Sequence, residues 1–307
     1  MPAFSTSDAS ELLEPGLKSI FMNRFRRFPE EYTKLNNVLG SQRNFEEDLT
    51  FAGFGAVPQK DEGEGVGFED PIQGNLKRFT HNEFALGFRI TRPMWMDDQY
   101  GKMRGMTSAL AISFANLAEV QGISYMNNAT ATTAEFLGAD GVALLSNAHP
   151  LLGGGTFSNI PTVAADISYT EVQNGLINFE GLTDHQGLEI QVKPRKVVIS
   201  PSFRFIAEQI FKQDTEPDTA NRNKNVVSNK GVEVVVSHYL SDADRWLMLS
   251  DPAVDGMAGH SIQFIWRERP LFETYDDKDT KDVKANGYAR LSVGFTEAFG
   301  VYGSTGG

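Results

Sequence analysis

Two periodicities organise the chain. Between residues 97 and about 127, Met103, Met106, Leu110, Phe114 and Leu117 recur at spacings of 3, 4, 4 and 3, the stripe of an amphipathic helix. Asp97 or Asp98 is placed to cap its start. About 30 residues at roughly 1.5 Å each predict a rod about 45 Å long, weakened somewhat by Gly101, Gly105 and Gly122. Phe84, Leu86, Phe88 and Ile90 alternate with Ala85, Gly87 and Arg89, the period of a strand with one buried face. Leu49, Phe51 and Val57 share a parity upstream. Together they predict a long β-hairpin over 49–92, whose tip, Lys60 to Pro71, is too long and glycine-rich for a tight turn. An isolated hairpin is marginal in water, so this one is expected to lie on something else, plausibly a second copy.

Before the hairpin, residues 1–48 read as an extended arm with one helical piece. Phe21, Phe25 and Phe28 make its apolar stripe, and Pro29 ends it. After the long helix come shorter, mixed elements over 131–261. They comprise a helix near 168–182, a strand at 197–200, a helix opened by Pro201, a polar loop from Gln213 to Asn225, and strands at 232–236 and 246–249. Strands return at 262–266 and about 283–299. There is no βαβ regularity and no internal repeat, so the class is α+β.

Composition narrows the function. No stretch approaches the roughly 20 apolar residues a bilayer span needs, and the N-terminus shows no secretory signal. The chain has no cysteine, which removes disulfides, thiolate metal sites and cysteine nucleophiles. With 28 basic and 40 acidic residues the net charge is −12, the wrong sign for sequence-specific DNA binding. Arg24, Arg26 and Arg27 are followed at once by Glu30 and Glu31 and read as a solvated or subunit-facing helix side rather than a nucleic-acid patch.

Chemical motifs are weak. Gly63-x-Gly65-x-Gly67 and Gly153-Gly154-Gly155 do not follow a strand and open a helix, as a phosphate loop must. His149-Pro150 beside the triple glycine suggests an oxyanion hole, but there is no Gly-x-Ser-x-Gly elbow, so His149 reads as a loop histidine bonded to backbone. Five scattered histidines offer no metal spacing, and Asp276 to Asp279 lacks the glycine and closing glutamate of a calcium loop. The reading is no catalytic, cofactor or metal site. An arm, a hairpin and a long helix whose ordering costs chain entropy are stabilised most simply by sister copies.

Several stretches resemble tailed-bacteriophage major capsid proteins of the Hong Kong 97-like fold, in the group of Mu-like major head subunits. They are Glu14 to Phe21 with Phe28 to Tyr32; Phe45 to Asp48 with Gly53-Phe54-Gly55; Phe79-Thr80-His81 with Leu86 to Arg92; Asp97 to Gly101; Asp140 to Leu151; Lys193 to Pro201; and Val234 to Leu240. The resemblance implies an N-terminal arm (1–48), an extended E-loop hairpin (49–92), a peripheral domain with the spine helix (93–130 and 262–307) and an axial domain (131–261). It implies self-assembly into hexamers and pentamers of an icosahedral shell around phage double-stranded DNA, built in the host cytoplasm. A portal and a separate scaffold protein are the implied partners, the latter because the arm starts close to Met1; decoration proteins are left open. No membrane and no cofactor are implied, and lysine–asparagine crosslinking through Lys60, Lys77 or Asn75 is not expected.

The residues expected at contacts between subunits are Phe21, Phe25 and Phe28 in the arm. In the hairpin they are Lys60, Glu62, Phe68, Glu69, Lys77, Arg78 and Arg92, and in the loop facing the capsomer centre Asp214, Arg222 and Lys224. Two rival readings stand beside this one: the shell of a bacterial encapsulin-type nanocompartment, and a hydrolase using His149.

Overall fold

The computed structural model describes the backbone of residues 6–96, 100–216, 223–252 and 259–307, and the side chains of all of these but 6–15, 95, 96 and 100. The expected caps Asp97 and Asp98, and Arg222, lie outside the described residues.

The first body is a four-stranded sheet covered by two helices. Helix α1 (Thr6–Arg26) and the single turn α2 (Tyr32–Leu35) lead into strand β1 (Asn37–Gly40). Strands β2 (Phe45–Ala52) and β3 (Ile72–Thr80) form the hairpin, followed by β4 (Asn82–Ile90), the short α3 (Arg92–Met96) and the spine α4 (Tyr100–Asn127). The sheet order is β1-β10-β11-β4, where β10 is Ile262–Asp276 and β11 is Val283–Phe295. Helix α4 has 28 residues, a rod of roughly 42 Å at about 1.5 Å per residue. Its face of Leu110, Ala111, Phe114, Ala115 and Ala118 closes over Phe264, Phe272, Ala285 and Leu291 of the sheet and over Leu17, Phe21 and Phe25 of α1.

The helix meets the sheet closely because β11 carries glycine there. A methyl at Gly287 would lie 2.3 Å from the Phe114 ring, and one at Gly294 2.6 Å from Phe79, which is why glycine interrupts an otherwise β-forming strand. Gly287→Ala therefore forces the Phe114 ring aside. The expected result is a loss of about 1–3 kcal/mol, seen as a lower urea midpoint with unchanged slope.

The second body is a sheet of order β12-β9-β7-β8, with β7 at Lys196–Ile199, β8 at Glu233–Val236, β9 at Trp246–Leu249 and β12 at Val301–Ser304. All four residues of β9 are buried, as the uninterrupted apolar run Trp-Leu-Met-Leu requires of a central strand. Helices α5 (Tyr169–Glu180) and α6 (Arg204–Lys212) pack on it through Val172, Leu176, Phe179, Ala207, Ile210 and Phe211. The Ser168 hydroxyl caps α5 by accepting from the Glu171 N–H at 3.2 Å. Between α4 and α5 lies a loop region with one small two-stranded pair, β5 (His149–Pro150) and β6 (Thr156–Phe157). A third apolar cluster joins the two bodies, with Ile123 and Met126 from the end of α4 packed among Leu144, Val198, Leu247, Phe295 and Val301.

Three expectations are corrected. The strand 82–90 does not return along the hairpin; it pairs antiparallel with β11, Phe84 opposite Ala289 and Phe88 opposite Ala285. Phe84 and Phe88 pack half-buried against the helix-covered core while Leu86 stays exposed, and the true return strand is the more polar β3, Ile72 to Thr80. The helical piece expected near residues 21–28 is a helix running from Thr6 to Arg26, so this part of the arm is not extended. Strand β12, expected with the first body, pairs with β9 in the second sheet.

Candidate assembly surface

The hairpin leaves the molecule from a braced base. Strands β2 and β3 run in register from Phe45 opposite Thr80 to Ala52 opposite Ile72, with a bulge between Leu49 and Phe51. The Thr50 side chain fills the bulge: its Oγ1 accepts from the Asn75 N–H at 2.8 Å and donates to the Asn75 carbonyl at 3.1 Å. Beyond that rung the two arms continue without a ladder. The Glu69 carboxylate ties them by accepting from the Gly55 N–H at 3.0 Å, and the chain reverses at Asp61 to Glu64 with Gly63 at φ +87°. Every residue from 56 to 73 is exposed. Val57 is 95% and Phe68 97% accessible, values at which a large apolar side chain has nothing of its own chain to lean on.

The base sits in a socket formed by the loops after α4 and α5. A side chain at Gly74 would strike Thr50 Oγ1 at 2.3 Å and Leu152 Cδ1 at 2.6 Å, so hairpin and loop touch at backbone distance. Gln186 Nε2 donates to the Gly53 carbonyl at 3.3 Å and Lys77 Nζ to the Leu137 carbonyl at 2.5 Å. Burial pushes the Lys77 ammonium below its usual range, with Asp140 nearby opposing the shift. Behind this lies a stack of rings. His149 stacks on Phe157 at 4.9 Å, Phe157 on Phe299 at 4.7 Å, and His185 meets Phe299 edge-on at 5.0 Å. A carboxylate anchors each end, Asp140 at 2.8 Å from His149 Nδ1 and Glu297 at 2.7 Å from His185 Nε2.

This corrects the expectation for His149, whose partner is a carboxylate and not backbone. Nor does the arrangement resemble a hydrolase. His149 is fully buried with Nε2 lacking any hydrogen bond among the described residues. The Gly153 and Gly154 amides already donate to the His185 and Leu151 carbonyls, so neither is free for an oxyanion.

The residues expected at subunit contacts separate into groups. Lys60, Glu62 and Phe68 project from the hairpin tip, and Glu69 also belongs to it while bracing Gly55. Phe21 and Phe25 are a correction. They are buried in their own chain, Phe21 stacked on Phe272 at 5.3 Å and edge-on to Phe114 at 6.0 Å, and Phe28 packs half-buried beside them. The inner stripe of Phe21 and Phe25 is covered by the spine helix and the sheet of its own chain. Lys77 is likewise engaged internally, and Arg78 grips Glu47 across the hairpin through Nε and Nη2 at 2.8 and 2.6 Å while lying over the Phe45 ring. Arg92 is exposed, with its backbone N–H on Asp282. Asp214 and Lys224 stand at the two ends of one loop, joined by the Asn225 N–H to Asp214 carbonyl bond and the Thr215–Lys224 bridge.

One junction escaped the sequence. Glu119, in the C-terminal third of the spine and only 2% exposed, accepts from the Glu31 and Tyr32 N–H groups at 2.9 Å each. Glu31 in turn accepts from the His238 N–H at 3.2 Å and meets His238 Nδ1 at 2.6 Å, in the turn after β8. Burial drives the Glu119 carboxyl up to about 7 against the pull of its two amide bonds, and Glu31 and Glu30 add to the rise. The only hint in sequence is a lone carboxylate between Ala118 and Val120 in an apolar run.

Comparison with known proteins gives a consistent answer. Solved structures share the fold at low identity. The bacteriophage PhiM1 mature capsid aligns with TM-score 0.57 at 10% identity, covering 90% of this chain and 86% of that one. The structure from Microbacterium phage Oxtober96 gives 0.53 at 12%, covering 91% and 93%, and the virus-like particle from Pyrococcus furiosus 0.52 at 8%, covering 94% and 97%. No curated protein matches. The family model described as phage capsid protein matches residues 77–304, a stretch running from the hairpin's return strand through the spine and both sheets to the last strand. The chain belongs to the phage capsid protein family.

Proposed function

We propose that copies of this chain close into hexamers and pentamers of an icosahedral shell around phage double-stranded DNA, each hairpin clasping a neighbour. Family membership makes the chain a structural capsid protein, not an enzyme. The observation that carries the clasp is the hairpin itself: a braced base, a tie at Glu69, and a tip whose Val57 and Phe68 are almost wholly exposed. At about 25 cal/mol per Å², covering such side chains contributes on the order of 2 kcal/mol each, and closed symmetry repeats that gain at every subunit. In this reading the first sheet with the spine is the peripheral domain, the second sheet with α5 and α6 the axial domain, and the loop 213–225 faces the capsomer centre. A separate scaffold and a portal complete the assembly in the host cytoplasm.

Purified protein, supplied with scaffold where needed, is expected to sediment as closed particles visible by electron microscopy. The double substitution Val57→Ser with Phe68→Ser should leave the monomer's melting temperature unchanged, since neither side chain touches its own chain, and should shift the protein from particles to free subunits. Particles that form equally well without these two side chains would remove the clasp. The nanocompartment alternative shares the fold and differs in cargo: DNA in native particles supports the phage reading, a packaged enzyme the other.

A further inference from the structure

We infer that the hairpin tip of one copy docks on the exposed side of the last turns of helix α1 and the residues just after it in another, residues 16–28, an acidic, apolar-tipped finger on a basic, apolar-edged helix end. The inference rests on the clasp reading and names the surface that receives it. Residues 60–70 hold one lysine, Lys60, against Asp61, Glu62, Glu64, Glu69 and Asp70. Residues 16–28 hold Lys18, Arg24, Arg26 and Arg27 and no acidic residue. In a chain of net charge −12, this is a local reversal of sign.

Among the described residues neither side has an ion-pair partner. The four basic side chains are exposed and have no ion pair among the described residues, while the inner stripe of Leu17, Phe21 and Phe25 holds the helix against the spine. The acidic side chains at the tip likewise have none, and Glu69 meets only the Gly55 amide. A helix fixed on one side and charged on the other is a rigid platform, so docking on it requires little further ordering. The partly buried Ile20, Met22 and Phe28 border the basic residues. Packaged DNA would use the charge but not this apolar border, whereas the tip brings Val57, Val66 and Phe68 together with its carboxylates. From the last rung at Ala52 to the turn is about ten residues, an upper reach of roughly 33 Å, enough to cross onto an adjoining subunit.

Charge exchange in the full chain tests this. One variant carries Arg24→Glu, Arg26→Glu and Arg27→Glu; a second carries Asp61→Lys, Glu62→Lys and Glu64→Lys; a third carries all six. The first two move the net charge in opposite directions, and the third restores it. If only overall repulsion mattered, the first and second would shift assembly oppositely. Docking predicts that both lose assembled particles, by about tenfold or more as like charges meet, and that the third recovers them. Melting of the unassembled subunits reports whether each variant folds, and a fourth variant, Arg24→Gln with Arg27→Gln, gives a partial loss without reversal. Normal assembly of both triple variants, or no recovery in the sixfold one while its subunits melt normally, overturns the inference. So does a first variant that makes normal shells with reduced nucleic-acid content, which assigns the helix to DNA. Removing residues 54–70 separates the two levels: loss of particles there with normal assembly of the charge variants sinks the pairing alone, and normal particles there sink the clasp itself.

Discussion

Phe21→Ala is expected to lower the unfolding free energy by about 3–5 kcal/mol, among the largest effects of any single truncation in this chain. The ring is wholly buried, stacked on Phe272 of β10 and edge-on to Phe114 of the spine. Among the described side chains of α1 it is the one that touches both the sheet and the long helix through rings. Removing it deletes an aromatic side chain's transfer free energy and leaves a void between elements that cannot collapse, because Phe114 is pressed on Gly287 from the other side. Arm, spine and sheet form one cluster, so the loss falls on global stability rather than on the arm alone. Urea unfolding of the subunit measures it. A change below about 1 kcal/mol would mean that α1 contributes little to the folded core.

That result bears on how the arm was read. Phe21, Phe25 and Phe28 announce an amphipathic helix in the sequence, and the helix is there. What the spacing cannot say is whose surface the stripe covers, because an apolar face has the same pattern whether it docks on its own spine or on a neighbour. The spine stripe from Met103 to Leu117 was legible for the same reason, and its apolar face covers both the sheet and helix α1. Strand β9 was legible from four consecutive apolar residues, which no exposed segment carries.

The hairpin was half legible. Its exposed tip follows from glycines and like charges, but its return strand did not. Residues 72–80 read Ile-Gln-Gly-Asn-Leu-Lys-Arg-Phe-Thr, with the clean alternation absent because most of that strand faces solvent. The clearer alternation at 84–90 belongs to a strand recruited from far along the chain by β11. Period two identifies a strand and its buried face, not its partner. The ring stack behind the socket was invisible for a related reason: His149, Phe157, His185 and Phe299 come from three separate segments and meet only in the folded chain.

Glu119→Gln is expected to change the shape of the stability–pH curve. The folded carboxyl titrates at about 7 against 4.5 for the free group, so between those values the folded chain holds a proton that the unfolded chain has released. Unfolding free energy from this group therefore falls as pH rises from 4.5 to 7 and is level on either side, a drop on the order of 3 kcal/mol at about 1.4 kcal/mol per pH unit. The opposing pull of the Glu31 and Tyr32 amides is already within that value. Glutamine keeps the shape but not the titration. It accepts only one of the two N–H groups and turns its own amide toward the other, so the variant should be the weaker protein at pH 5. By pH 8 the wild type carries a buried charge facing Glu30 and Glu31, while the variant does not, and the gap should close or reverse. His238 and Tyr239 lie at the same junction in both proteins, so the difference between the two curves reports what replacing the Glu119 carboxyl changes. Parallel stability curves for the two proteins between pH 5 and 8 would show that the carboxyl does not titrate in that window and that the junction is held by packing alone.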